Sequence, residues 1–136
     1  MTILKTSALI VLLNIPIQSF KIKTDLSYLK YANRKYPNEI KLLNDQKLSM
    51  RLKALLKNRL VFLKKTWAVE TPIEVANEHL TAWGCQQHNC DQTNFIIVVD
   101  FKKNVVYCGI RENENVKVYS EDESVNSEIT KWSKRN

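Results

Sequence analysis

The sequence predicts an α+β domain, an antiparallel sheet of about four to five strands with helices packed against it. Three observations carry that expectation. Leucines recur at three- and four-residue spacing from Leu48 to Leu63, short β-branched runs alternate with turn residues over 73–119, and a second helical pattern closes the chain. With 136 residues, 44% of them apolar and 26% charged, the chain can bury a core of its own as one domain.

Residues 1–20 have Lys5 as their only charge, then an apolar centre from Ala8 to Leu13, then Asn14, Pro16 and a polar Gln18-Ser19. A basic start, a short apolar centre and a small residue at its end make a secretory signal peptide, with cleavage after Ser19 or Phe20. A membrane span needs about 20 apolar residues, and this run is broken at Asn14 and Pro16. The expected location is therefore periplasmic or secreted, with no membrane contact once the leader is removed.

Residues 21–41 are charged and carry Tyr28, Tyr31 and Tyr36, with Pro37-Asn38 marking a turn. Periodicity there is weak, so an irregular arm is expected ahead of a main domain over 42–136. In that domain, Leu48, Leu52, Leu55, Leu56, Leu60 and Leu63 form one apolar stripe, predicting a helix over 42–63 capped by Asn44 or Asp45. Lys47, Arg51, Lys53, Lys57 and Arg59 lie mostly off the stripe. A core helix with a solvated basic face is expected, and a basic amphipathic helix on anionic lipid is the alternative.

Residues 64–72 turn the chain, offering Trp67 and Val69 to the core. Strands are expected at 73–75 and 79–83 around a turn at 76–78, with His79 exposed on the polar phase and without a role. Residues 95–99, Phe-Ile-Ile-Val-Val, predict a central strand covered on both faces. Further strands follow at 105–110 and 116–119. Ser120 and Glu123 have the spacing of a capping box for a last helix, in which Val125, Ile129 and Trp132 share a face and Lys131, Lys134 and Arg135 lie near the C-terminus.

A net charge of +7 favours an anionic partner. Only two glycines are present, which excludes a glycine-rich phosphate cradle. Lysines and arginines are spread along the chain instead of clustering with aromatics, so no nucleic-acid partner is expected. No cofactor, internal repeat or low-complexity segment is indicated.

The most chemically suggestive stretch is Trp83-Gly84-Cys85-Gln86-Gln87-His88-Asn89-Cys90. Three cysteines are present, Cys85, Cys90 and Cys108, which fits one bridge plus one thiol left over. Four readings of the Cys85/His88/Cys90 set are open. It can be a disulfide-closed loop presenting His88 to an enzyme. It can be a Cys₃His zinc site in a cytosolic binding module, completed by Cys108. It can be a Cys-His nucleophile, for which no orienting third residue stands out. It can be a purely structural hairpin staple. A bridge closing so small a ring would be worth about 2 kcal/mol. Its larger effect is stiffness, since little freedom is left to lose on docking.

Cys-x-x-His-[Asp/Asn]-Cys between two strand-like runs resembles the protruding loop of the inhibitor of vertebrate lysozyme (Ivy) family, whose pattern is Cys-Lys-Pro-His-Asp-Cys. The chain matches at Cys85, His88 and Cys90, keeps an isostere at Asn89, and departs at Gln86 and Gln87. The order of flanking elements also agrees over about 48–119: helix, Trp67, Thr71-Pro72, strand, loop, strand. The resemblance implies a protruding hairpin loop closed by a Cys85–Cys90 disulfide, and a protein inhibitor with no catalysis of its own. Residues Cys85, Gln86, Gln87, His88, Asn89 and Cys90 would contact the partner, with the loop histidine approaching the paired catalytic carboxylates of a lysozyme and the loop occluding its sugar cleft. Homodimers occur in the family. Gln87 in place of proline lowers preorganisation, and Asn89 in place of aspartate removes a charge. Vertebrate lysozymes are themselves basic, so steering between two cationic proteins is unfavourable. A related muramidase, a lytic transglycosylase, or an effector muramidase neutralised by a periplasmic immunity protein fits the charge at least as well.

Overall fold

A computed structural model describes residues 23–135; the leader expected over 1–20 lies outside them. A single six-stranded antiparallel sheet organises the chain. Its strands are β1 (Val69–Glu70), β2 (Glu74–Ala76), β3 (His79–Cys85), β4 (Thr93–Asp100), β5 (Val105–Glu112) and β6 (Asn115–Ser120). The α+β expectation holds. The strand not foreseen is β1, whose two residues are too few for alternation to show. The order is β1-β3-β4-β5-β6, with β2 also on β3. Since β4 pairs with β3 from His79↔Asp100 to Cys85↔Asn94, β1 and β2 share the opposite edge of β3.

Helices cover both faces, which is why every residue of β4 is buried. On one face Phe95, Ile97 and Val99 meet Leu48, Leu52 and Leu56 of α1 (Gln46–Leu56) and Leu60 and Leu63 of α2 (Arg59–Thr66). On the other, Ile96, Val98, Val105 and Tyr107 meet Ile129 and Trp132 of α3 (Ser127–Ser133). Each such aliphatic side chain contributes roughly 1.5–3 kcal/mol on burial, so the leucine stripe and the β4 run together set the fold.

Both glycines serve this packing. A Cβ on Gly84 would lie 2.1 Å from the Trp67 indole, and one on Gly109 would lie 2.2 Å from the Trp132 indole. Trp67 covers Gly84 and stacks on Phe95 at 6.0 Å, and Trp132 covers Gly109 on the opposite face. Val69 stays 41% exposed.

Four expectations are corrected. The helix expected over 42–63 is broken at Lys57, whose φ of 53° and ψ of −126° no helix tolerates. The leucine stripe runs on across the break, so periodicity conceals it. Asp45 caps α1 by accepting from the Leu48 N–H at 2.9 Å. Arg51, expected on a solvated face, is 7% exposed: it pairs with Glu121 at 2.6 Å and donates to the Thr24 and Asn104 carbonyls. The capping box is not formed. Ser120 bonds Asp122, α3 starts later with Asn126 accepting from the Glu128 and Ile129 N–H groups, and Val125 is 82% exposed, off the face of Ile129 and Trp132. Finally, the segment expected as an irregular arm carries a 3-10 helix, Ser27–Ala32, and buries Leu26, Leu29 and Ala32 in the core. The Arg34 N–H to Ile73 O and Ile73 N–H to Lys35 O bonds join it to the segment before β2.

Candidate functional site

β3 delivers the chain to Cys85 and β4 takes it back at Thr93. Between them, Cys85 and Cys90 are joined by a disulfide with their Cα atoms 4.9 Å apart. Cys85 is fully buried, so the bridge fastens the loop to the last residue of a core strand. The Cys85 carbonyl accepts from Ala68 N–H at 2.9 Å, directly after Trp67.

Inside the ring, Asn89 is the brace. Its backbone N–H donates to Gln86 O at 3.0 Å, and its carbonyl accepts from the N–H groups of Gln92 and Thr93 at 3.1 and 2.9 Å. Its side-chain Nδ2 donates to Gln86 Oε1 at 2.8 Å and to Thr93 Oγ1 at 3.3 Å. A carboxylate could not make these donations. Asn89 and Cys90 are therefore half-buried, whereas Gln86, Gln87 and His88 are exposed. His88 has a φ of 59°, a left-handed conformation that histidine enters more readily than most residues. Among the described residues no group hydrogen-bonds its ring, so the imidazole projects with both nitrogens available.

The base of the loop is held by residues that the sequence did not single out. Asn94, 6% exposed, donates from Nδ2 to the Cys90 carbonyl and accepts at Oδ1 from the Trp132 indole, each at 2.8 Å. The Arg111 guanidinium lies over the Trp132 ring and donates to its carbonyl. On the other flank, the Asn113 N–H donates to Gln92 O at 2.7 Å, docking the β5–β6 turn against the loop. The available signal was an amide at the head of an otherwise apolar strand, since a buried amide must find partners.

The zinc reading is not met. Two of its four ligands are bonded to each other, and no group of three or more His, Cys, Asp or Glu could hold a metal ion among the described residues. Cys108 is buried in the middle of β5, where desolvation pushes its thiol well above the usual range, as expected for an inert thiol. A Cys-His nucleophile finds no free thiol beside His88. His79, expected to be merely exposed, is half-buried and faces Asp100 across the β3–β4 ladder at 3.3 Å.

The model of the inhibitor of vertebrate lysozyme (Ivy) family matches residues 47–136, well over half of the chain, including the loop, the whole sheet and α3. No curated protein and no solved structure matches the chain.

Proposed function

The chain belongs to the inhibitor of vertebrate lysozyme (Ivy) family, and from that premise we propose that it blocks a cell-wall glycosidase, of lysozyme or lytic-transglycosylase type, by seating the Cys85–Cys90 loop in the enzyme's cleft. His88 would lie at the apex. The single observation that carries this reading is the conjunction at the loop tip: His88 exposed and unengaged, on a ring closed by a disulfide and braced by Asn89.

The chemistry suits such a target. Glycoside hydrolases present paired carboxylates, to which an imidazole can donate a hydrogen bond or, once protonated, an ion pair. A net charge of +7 favours a target whose cleft and surroundings are acidic over a strongly basic one. The disulfide belongs to an oxidising compartment, consistent with a periplasmic or secreted protein whose leader is residues 1–20. Gln86 and Gln87 would supply neutral hydrogen bonds at the rim.

The test is inhibition of a panel of muramidases and lytic transglycosylases by the purified protein. Wild type should inhibit at least one, and His88→Ala should weaken that inhibition about a hundredfold, the scale of a hot-spot truncation, with an unchanged urea midpoint. Failure of the wild type across the whole panel would sink the reading.

A further inference from the structure

We propose that the groove between α3 and the β1–β2 edge is a saccharide-binding site, taking a short run of linked amino sugars. It is separate from the Cys85–Cys90 loop. Its floor is β3, where Thr81 and Trp83 stand opposite Val98 and Ile96 on the α3 face of the sheet. One wall is Glu128 with Arg135 just beyond α3, and the other is the connection from Thr71 to Glu74. The hollow has a volume of about 350 Å³, within the size range of small-ligand sites. It continues along β3 into a second hollow that shares Glu74, Thr81 and Glu128 and ends at His79. Two hollows in line along one strand suit an oligomer better than a single small molecule.

The lining supports a sugar over an ion. The other two indoles are engaged, Trp67 with Glu70 and Trp132 with Asn94. Among the described residues the Trp83 indole N–H, the Thr71 and Thr81 hydroxyls and the Glu74 carboxylate have no partner. These are an amphipathic ring, two hydroxyls and an acceptor, grouped on one concave surface. A pyranose offers the complement: an apolar face for the indole and a fringe of hydroxyl donors for carboxylates. Charge is balanced, since Glu74 and Glu128 are matched by Arg135 and by Lys131, which bonds Glu128 at 3.2 Å. A cationic peptide would therefore gain little here.

That the sugars are amino sugars rests on the function proposed above; the saccharide site itself does not. The experiment titrates ¹⁵N-labelled full chain with the N-acetylglucosamine tetramer and, separately, with an oligolysine peptide. The Trp83 indole N–H signal should move saturably with the sugar, and Glu74→Ala, on an exposed strand, should weaken binding about tenfold, the loss of one charge-assisted hydrogen bond. His88→Ala should leave sugar binding unchanged. No saturable shift, a shift lost equally in His88→Ala, or saturation by oligolysine alone would each overturn the proposal. Muramidase inhibition measured in parallel reports on the preceding proposal alone, and Glu74→Ala should leave it intact.

Discussion

The indole of Trp132 donates to Asn94 Oδ1 at 2.8 Å while the same amide's Nδ2 donates to the Cys90 carbonyl. One buried side chain thus connects the last helix to the residue that closes the loop. Replacing it with leucine would leave a buried indole N–H and a carbonyl unpaired, each costing about 1–3 kcal/mol. Asn94→Leu should lower stability by about 3 kcal/mol in urea unfolding. Asn94→Asp keeps the acceptor for Trp132 but loses the donor to Cys90, so it should accelerate amide exchange selectively at Gln92 and Thr93.

Removal of the bridge should separate stiffness from folding. Cys85→Ala with Cys90→Ala should cost about 2 kcal/mol and leave the far-ultraviolet circular dichroism unchanged, because Asn89 still braces the turn. Inhibition should weaken by more than that stability loss implies. Intact mass should rise by the mass of two hydrogen atoms when a thiol reductant opens the Cys85–Cys90 bridge of the wild type.

His88→Gly should change stability by less than about 1 kcal/mol, since relief of the left-handed backbone offsets the entropy cost of glycine. It should weaken inhibition as much as His88→Ala does. A urea titration and one inhibition curve check both halves.

Gly84→Ala and Gly109→Ala each place a methyl group against an indole ring. Each should cost about 3 kcal/mol, at the upper end of overpacking penalties, read as a lowered urea midpoint. Gly84→Ala acts beside Cys85 and should also impair inhibition.

Ser124, through its hydroxyl and then its backbone N–H, holds the Asp122 carboxyl down from 3.8 to about 2. A lowered folded-state value stabilises the protein above the unfolded value, and that contribution is lost as the pH falls through about 2. The stability difference between wild type and Asp122→Asn should therefore be constant above about pH 5 and shrink on acidification between 3.8 and about 2. A difference that grew on acidification would contradict the assignment.

Much of the architecture was legible because burial leaves periodic marks: the leucines of α1 and α2, and the β-branched run of β4 with helices on both faces. The loop was legible from Cys85, His88 and Cys90 because covalent and ring chemistry are local. What escaped was set by single backbone angles or by distant partners. Lys57 breaks a helix without interrupting its stripe, Arg51 is buried because Glu121 lies seventy residues away to receive it, and Asn126, not Ser120, has the geometry to cap α3. Asn89 read only as a neutral isostere of aspartate, and its role as the internal fastening of the turn depends on Gln86 and Thr93. Leu26 and Leu29 were too few to declare a period, yet the arm they belong to fills the core.

The seats beneath Trp67 and Trp132 act as keyways for the sheet. If β3 or β5 slipped by one residue, a side chain would arrive where only hydrogen fits, and an indole would be forced out of its slot. The point at which the hairpin leaves the sheet is therefore fixed by notches on two opposite surfaces, well away from the tip. Relatives of this chain could vary the tip freely, as interchangeable bits on one shank, provided those notches stay empty.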